Sequence, residues 1–146
     1  MKILVIGGAG FIGSHLVDSL LVLGHQVAVV DNLSAGKRDY VSPKAVFYQK
    51  DILDPGLIQV FNDVQPEVIF HLAAQKNLRL SISNPVMDAE INILGGLRVL
   101  ELAAKIKARV IFASSAAVYG KNNIGADELS SVQPVTPYGI TKLAME

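Results

Sequence analysis

The stretch KILVIGGAGFIG, residues 2–13, joins a short apolar run to closely spaced glycines. An apolar helical pattern begins at Phe11 and continues with Leu16 and Leu20, so the local order is strand, tight turn, helix. In such a turn one glycine turns the chain without a Cβ, a second lets backbone N–H groups approach a pyrophosphate, and a third lets helix and strand pack closely. The helix N-terminus then points its free N–H groups and its positive dipole end at the phosphates. The stretch therefore predicts a dinucleotide-binding turn.

The glycine spacing fits two patterns. Gly8, Gly10 and Gly13 fit G-x-G-x-x-G, whereas Gly7 in place of Gly8 gives G-x-x-G-x-x-G. Either match alone is weak evidence, because chance matches are common in glycine-rich loops. The assignment therefore depends on the elements that flank the turn.

The second predicted strand, residues 26–30, ends in an acidic side chain, Asp31. An acidic residue about 20 positions beyond the glycines accepts hydrogen bonds from an adenosine ribose and repels a 2′-phosphate. We therefore expect NAD as the cofactor, in preference to NADP. The alternative is a structural turn with a surface aspartate.

Composition and charge exclude several other classes of protein. The 146 residues are 51% hydrophobic and 18% charged with a formal net charge of zero, which fits one folded domain over residues 1–146 and argues against a nucleic-acid partner. The absence of cysteine excludes disulfides and thiolate metal sites, and we predict no metal. The apolar run at residues 3–6 is too short for a signal peptide or a membrane span, so we expect no membrane partner and a cytoplasmic location.

Strands and helices alternate along the chain. The predicted strands are residues 2–6, 26–30, 45–49, 67–71 and 109–113. The predicted helices are 11–23 with Gly24 as C-cap glycine, 55–64 with Asp54 as N-cap and Pro55 at its first position, a long helix from Pro85 to about residue 106, and one from Pro137.

This alternation predicts an α/β fold with a Rossmann-type, doubly wound parallel sheet in strand order 3-2-1-4-5. Ligands in such sheets bind at the carboxyl ends of the strands, here between strands one and four. His71, at the end of strand four, is expected to be structural. The Gly95-Gly96 pair within the long helix is expected to allow close packing without breaking the helix.

A catalytic pair is predicted on the last helix. Tyr138 and Lys142 are four residues apart and so project from one helix face. A lysine ammonium close to a phenol favours the phenolate, which makes a general base. The hydroxyl of Ser115, which follows strand five, could orient the same substrate oxygen or relay its proton. The alternative for Tyr138 and Lys142, taken by themselves, is a surface pair on a helix.

Taken together, the motifs resemble the extended short-chain dehydrogenase/reductase family, its NAD-dependent epimerase/dehydratase members, and among these the sugar-nucleotide epimerases of the UDP-glucose 4-epimerase type. They occur in family order over nearly the whole chain. They are Gly7-x-x-Gly10-x-x-Gly13, Asp31-Asn32-Leu33, Asp51-Ile52, His71-Leu72-Ala73-Ala74, Asn92, Ser114-Ser115-Ala116-Ala117-Val118-Tyr119-Gly120 and Tyr138-Gly139-Ile140-Thr141-Lys142.

The resemblance implies a role for each matching position. The glycine turn would hold the pyrophosphate, the residues after strand two the adenosine ribose, those after strand three the adenine, and those after strand four the cofactor wall. The implied NAD-binding residues are Gly7, Gly10, Phe11, Ile12, Gly13, Asp31, Asn32, Asp51, Ile52, Leu72, Ala73, Ala74, Lys76, Asn92, Tyr138 and Lys142. The implied catalytic residues are Ser115, Tyr138 and Lys142.

The mechanism that the resemblance implies is transient oxidation of a nucleotide sugar, with a UDP-hexose as the expected substrate. Tyr138 would take the proton of the 4-hydroxyl while the C4 hydride passes to tightly bound NAD, and the hydride would return to the other face of the 4-keto sugar. Related 4,6-dehydratases carry acidic residues directly after the catalytic Ser or Thr, where this chain has Ala116 and Ala117. The dehydratase assignment is thereby disfavoured, whereas a sugar reductase or a decarboxylase stays open.

Family members continue beyond the catalytic helix with further strands and a C-terminal substrate domain, whereas this chain ends at Glu146. We therefore expect a truncated NAD-binding Rossmann domain that lacks these parts. Family homodimers pair through the long helix and the catalytic helix, which here would be residues 86–106 and the segment from Pro137. The alternative function is an isolated NAD-binding fragment without catalysis.

Overall fold

The computed structural model describes residues 1–121 and 125–146. These residues form a five-stranded sheet in the order β3-β2-β1-β4-β5, in which every neighbouring pair is parallel. The strands are β1 Lys2–Ile6, β2 Gln26–Asp31, β3 Val46–Gln49, β4 Val68–His71 and β5 Arg109–Phe112. The predicted fold class and strand order are therefore confirmed.

Helical segments connect and follow the strands. The α-helices are α1 Phe11–Val22, α2 Leu57–Val64, α3 Leu78–Ser83, α4 Pro85–Ala89, α5 Gly96–Ile106 and α6 Pro137–Leu143. Short 3₁₀ turns lie at Arg38–Tyr40 and Ala116–Tyr119, and six π-helical residues, Glu90–Gly95, join α4 to α5. Within the described part of the chain, no helix is both long and apolar enough to cross a membrane.

The chain divides into two compact units. The first contains residues 1–73 and 98–113, and so holds the whole sheet. The second contains residues 74–97 and 114–146, and so holds α3, α4, the π-helical residues and α6. The assignment of residues 1–146 to one domain stays a prediction.

The core of the first unit lies around its central strands. β1 is buried from Ile3 to Ile6 and β2 from Val27 to Asp31, as expected for parallel strands that are covered on both faces. Val17 of α1 is fully buried in the same apolar cluster. Burial of these side chains keeps the carboxyl ends of β1 and β2 in place, and the glycine turn and Asp31 lie at those ends.

The predicted start of α2 is wrong by two residues. The helix begins at Leu57 with Gly56 as N-cap, and not at Pro55 with Asp54 as N-cap. Asp54 instead closes a turn before the helix: its Oδ1 accepts a hydrogen bond from Gly56 N at 2.7 Å, and its backbone O accepts one from Leu57 N at 3.0 Å. The backbone N–H of Gly56, followed by Lys50, holds the pKa of the Asp54 carboxyl below its usual value.

The long predicted helix consists of three consecutive segments, α4, the π-helical residues and α5. Its start is confirmed, because Asn84 accepts a hydrogen bond from Met87 N at 3.2 Å and Pro85 takes the first position. Gly95 ends the π-helical segment and Gly96 begins α5, and both glycines are buried. A π-helical insertion is not visible in apolar spacing, because it changes the register of a helix without ending it.

Other local signals have mixed outcomes. Gly24 follows Leu23, the C-cap of α1, and has a φ of +79°, as a glycine that ends a helix requires. The short helix α3 was not predicted, although Asn77 is its N-cap and accepts a hydrogen bond from Leu80 N at 3.1 Å.

Candidate active site

The glycine turn in the first unit is sterically determined. Gly7 has a φ of +88°, and a Cβ on it would lie 2.6 Å from Ala73 N. A Cβ on Gly13 would collide with the carbonyl oxygen of Gly7, and one on Gly8 would lie 2.7 Å from Val29 Cγ1. The two spacing patterns read from the sequence therefore describe a single turn, because both Gly7 and Gly8 are held without room for a side chain.

Gly10 differs from these glycines, because the space in front of it is open. A Cβ there would meet only Gly7 O, at an ordinary contact distance of 3.4 Å. Gly10 is the N-cap of α1 and supplies no capping side chain, and the first turn of α1 has no acidic residue. The first N–H groups of a helix have no intrahelical partner, so this terminus is suited to an anionic ligand. Phe11 and Ile12, which form this turn, are 74% and 69% exposed.

Asp31 ties the end of β2 to the glycine turn. Its Oδ2 accepts a hydrogen bond from Ala9 N at 2.9 Å, and its Oδ1 accepts one from Leu33 N at 2.8 Å. The side chain is buried, so Asp31 is not a surface aspartate. Each carboxylate oxygen can accept a further hydrogen bond, which leaves acceptor capacity for a ribose hydroxyl.

The ends of β2 and β3 bring Asn32 and Asp51 together. Asn32 Nδ2 donates to Asp51 Oδ2 at 2.6 Å, and Asn32 Oδ1 accepts from Ser34 N at 2.9 Å. Asp51 Oδ1 in turn accepts from Leu53 N at 2.8 Å. Ile52, next to Asp51, is buried. The two predicted ribose and adenine positions therefore form one hydrogen-bonded group.

The segment after β4 lies against the end of β1. The N–H groups of Leu72 and Ala73 both donate to Ile6 O, at 2.8 and 3.0 Å. This is the predicted position between strands one and four, and the glycine turn begins there. His71 is buried, and its ring centroid lies 5.8 Å from that of Phe112.

In the second unit, α6 carries the predicted catalytic pair. Thr136 Oγ1 accepts a hydrogen bond from Gly139 N at 3.1 Å, and Pro137 takes the first helical position. Tyr138 is partly buried and Lys142, one turn later, is only 3% exposed. Burial lowers the pKa of Lys142 from 10.5 to about 8, and the Glu146 carboxylate acts in the opposite direction. The alternative of a surface pair is therefore wrong for Lys142.

Ser115 begins the 3₁₀ turn on which α6 packs. Its Oγ accepts a hydrogen bond from Ala117 N at 3.2 Å, which leaves the hydroxyl proton available to another acceptor. A Cβ on Gly139 would lie 2.6 Å from Ala117 O, so glycine is required where α6 meets this turn. The close approach places the helix of Tyr138 directly against the segment that follows Ser115.

The other predicted residues of the second unit are Ala74, Lys76 and Asn92. Lys76 is exposed, whereas Asn92 lies in the π-helical segment and is 4% exposed. Asn92 Oδ1 accepts from Gln75 N at 2.8 Å, and its Nδ2 donates to Gln75 O and to Thr141 Oγ1, both at 3.1 Å. Both amide N–H groups thus have protein partners, and the NAD contact of Asn92 stays a prediction.

Sequence reasoning missed the polar network to which Asn92 belongs, whose other members are Gln75, Asp88 and Thr141. Asp88 is fully buried and accepts hydrogen bonds from both of the other two. Their signal was a pair of polar residues, Asp88 and Asn92, four positions apart and so on one face of a predicted helix.

The structure divides the predicted site residues between the two units. The first unit holds Gly7, Gly10, Phe11, Ile12, Gly13, Asp31, Asn32, Asp51, Ile52, Leu72 and Ala73. The second unit holds Ala74, Lys76, Asn92, Ser115, Tyr138 and Lys142. The first set is suited to holding a dinucleotide, and the second supplies a phenol, a lysine and a hydroxyl for proton transfer.

Comparison with known proteins gives consistent matches over the whole chain. The model of the NAD dependent epimerase/dehydratase family matches residues 3–146. The crystal structure of UDP-glucose 4-epimerase with UDP-glucose from Thermotoga maritima aligns with a TM-score of 0.94 and 43% identity, over 99% of this chain and 48% of that one. The Thermus thermophilus UDP-glucose 4-epimerase complex with NAD aligns with a TM-score of 0.96 and 41% identity, over the same shares.

Among curated proteins, UDP-glucose 4-epimerase of Lactobacillus helveticus is 39% identical over 149 residues, which cover 100% of this chain and 45% of the relative. The chain thus spans about half the length of the relatives that it matches.

Proposed function

Because the chain belongs to the NAD dependent epimerase/dehydratase family, we propose that it forms the NAD-binding part of a sugar-nucleotide epimerase that inverts C4 of a UDP-hexose. The observation that carries this proposal is α6, which holds Tyr138 one helical turn before the buried Lys142. A phenol and a lysine in this arrangement can move a proton on and off a sugar hydroxyl.

The residues of the first unit support NAD as the cofactor of this NAD-dependent family. The open terminus at Gly10, with Phe11 and Ile12, would hold the pyrophosphate, and Asp31 with Asn32 would hold the adenosine ribose. When bound, NAD supplies the hydride acceptor and donor that an inversion at carbon requires.

The chain's own side chains would handle the proton. Tyr138, as phenolate, would remove the proton of the sugar 4-hydroxyl and later return it. Burial lowers the pKa of Lys142 to about 8. Its side chain would therefore still carry a positive charge at neutral pH, and this charge would stabilise the phenolate. The Ser115 hydroxyl would donate a hydrogen bond to the same substrate oxygen and so orient the sugar.

The dehydratase alternative has less support. Ala116 and Ala117 follow Ser115 in the 3₁₀ turn and have no group that could transfer a proton for elimination of water.

The same proposal includes a homodimer and a cytoplasmic location. Leu94, Leu97 and Ile140 support the dimer, because each is at least half exposed on the long helical segment or on α6.

A second candidate function is NAD binding without catalysis. The division of the residues favours it for the chain alone, because the glycine turn, Asp31 and Asp51 all belong to the first unit and are built without α6.

Calorimetric titration of the chain with NAD tests the cofactor assignment, with Asp31→Ala as the test variant and Asp18→Ala, an exposed aspartate on α1, as the matched control. Loss of one or two hydrogen bonds to a charged group corresponds to about 1.5–3 kcal/mol, so Asp31→Ala should weaken NAD binding about 10- to 100-fold. Asp18→Ala should bind like the unchanged chain. Equal NAD affinity of the two variants would show that Asp31 does not contribute to NAD binding.

The catalytic assignment is tested in a longer protein in which residues 1–146 are followed by the second half of the Thermotoga maritima relative. We expect it to interconvert UDP-glucose and UDP-galactose. A folded protein that binds NAD and turns over no UDP-hexose would refute the epimerase proposal, and NAD binding by the chain alone would then support the second candidate.

A further inference from the structure

A buried carboxylate lies at the centre of a polar network in the second unit. Asp88, on α4, is 0% exposed. Its Oδ1 accepts a hydrogen bond from Gln75 Nε2 at 2.6 Å, and its Oδ2 accepts one from Thr141 Oγ1 at 2.8 Å. A carboxylate that is removed from water needs such donors, because an unsatisfied buried charge is strongly destabilising.

Thr141 connects this network to the candidate catalytic pair. It lies on α6 between Tyr138 and Lys142, and its hydroxyl has a single proton for two nearby acceptors, Asp88 Oδ2 and Tyr138 O at 3.0 Å. The carboxylate is the nearer and the charged acceptor, so it takes the proton. The Thr141 oxygen accepts in return from Asn92 Nδ2 at 3.1 Å.

Gln75 is a further member of the same network in the second unit. Its backbone N–H and C=O are both held by the side-chain amide of Asn92, and its Nε2 donates to Asp88 and to Asn77 O. Asn77 is the N-cap of α3. The three side chains of Asp88, Asn92 and Thr141 therefore hold α4, the π-helical segment, α6 and the segment at Gln75 in one arrangement.

We infer that Asp88 is a positioning residue for catalysis, which sets the position of Tyr138 and Lys142 by holding Thr141 and Gln75 with its two carboxylate oxygens. The inference rests on the proposed function in so far as it takes Tyr138 and Lys142 as the catalytic pair. Asp88 itself touches no reacting atom. Without its carboxylate, the Thr141 hydroxyl keeps only Tyr138 O, on its own helix, as an acceptor, and α6 loses its hydrogen bond to the Asp88 side chain of α4.

The network suggests a matched set of variants. Asp88→Leu and Thr141→Val keep the size of each side chain and remove the hydrogen bond. Asp88→Asn and Thr141→Ser are the conservative variants, since an asparagine can still accept from Gln75 and donate to the Thr141 oxygen. Val60→Ala, which removes buried methyl groups from α2 in the first unit, is the control for loss of stability alone.

Two measurements separate positioning from simple stabilisation. The first is the titration of Lys142 in the 146-residue chain by NMR of its side chain, assigned with Lys142→Met. The second is kcat, KM for UDP-glucose and NAD affinity in the longer protein described above. Loss of alignment would let water reach Lys142, so its titration should move from about 8 towards its ordinary value of 10.5.

We expect Asp88→Leu and Thr141→Val to raise the Lys142 midpoint by about one pH unit or more. In the longer protein they should lower kcat about 100-fold, as a displacement of about 1 Å does, and leave KM and NAD affinity near their original values. Asp88→Asn and Thr141→Ser should restore most of both properties, and Val60→Ala should change neither.

An unchanged Lys142 titration in both Asp88→Leu and Thr141→Val would overturn the inference, and so would an equal shift in Val60→Ala. If Asp88→Leu does not fold, Thr141→Val decides the same question, with Thr141→Ser as its conservative control. An inactive longer protein would count against the proposed function, while the Lys142 titration would still decide whether Asp88 positions α6.

Discussion

Replacement of Lys142 by methionine should change how the stability of the chain depends on pH. Lys142 is 3% exposed, and burial lowers its pKa from 10.5 to about 8 despite the opposing effect of Glu146. Methionine has a similar length and no charge, so the substitution removes the titration and keeps most of the packing. The difference in stability between the two proteins therefore reports the protonation of this one side chain.

The sign follows from proton uptake. Between about pH 8 and 10.5 the unfolded chain holds a proton on Lys142 that the folded chain has lost, so the free energy of unfolding rises with pH in this window. Below about pH 8 both states are protonated and burial of the ammonium group is destabilising. At about 1.4 kcal/mol per pKa unit, the full interval corresponds to about 3 kcal/mol, of which about 2 to 3 kcal/mol should appear between pH 7 and pH 10.

Urea unfolding at a series of pH values from 7 to 10, followed by circular dichroism, measures this difference. We expect the advantage of Lys142→Met over the unchanged chain to shrink steadily across this range. Lys105→Met, at an exposed lysine of α5, is the control and should give a constant difference. A constant difference for Lys142→Met as well would refute the argument, because it would mean that Lys142 titrates alike in the folded and unfolded chains.

Two further substitutions test the second unit. Gly139→Ala would place a Cβ 2.6 Å from Ala117 O, so we expect a loss of about 1–3 kcal/mol in the free energy of unfolding by urea, whereas Ile140→Ala, at an exposed neighbour, should cost less than Gly139→Ala. Equal losses would mean that α6 is free to move away from the 3₁₀ turn. Tyr138→Phe should remove epimerisation in the longer protein and keep NAD binding within about threefold, because it removes only the proton-transferring hydroxyl. Residual turnover near the original rate would assign the base to another group.

The sheet could be predicted in detail because its signals are local. Each strand is a short apolar run, and each is followed by a helical pattern or by a polar turn, so right-handed crossover connections leave few possible strand orders. The glycine turn could be predicted from its local spacing between a strand and a helix, although the contacts that exclude a side chain at Gly7 and Gly8 are with the distant residues Ala73 and Val29. The error at α2 arose because Asp54 and Pro55 carry the same signal whether they begin a helix or a preceding turn.

The candidate site was predictable only in part. The residue types and spacing of Asp31, Tyr138 and Lys142 indicated chemistry, but not that Asp31 also holds the glycine turn through Ala9 N. The burial of Lys142, and with it the lowered pKa, depends on tertiary packing and not on spacing along the chain. Assignment of roles to Lys76 and Asn92 relied on the resemblance, and those roles stay predictions.

The amino-acid sequence by itself determined the parallel α/β sheet, the glycine turn and the spacing of Tyr138 and Lys142 on one helix, because the sequence signal for each lies within a few residues along the chain. Only the tertiary structure decided that Asp88, Asn92 and Thr141 share one buried network. Thr141 lies 53 residues from Asp88, and no local periodicity relates them. A buried carboxylate takes its donors from wherever the fold brings them, so its partners become visible only when the helices have packed.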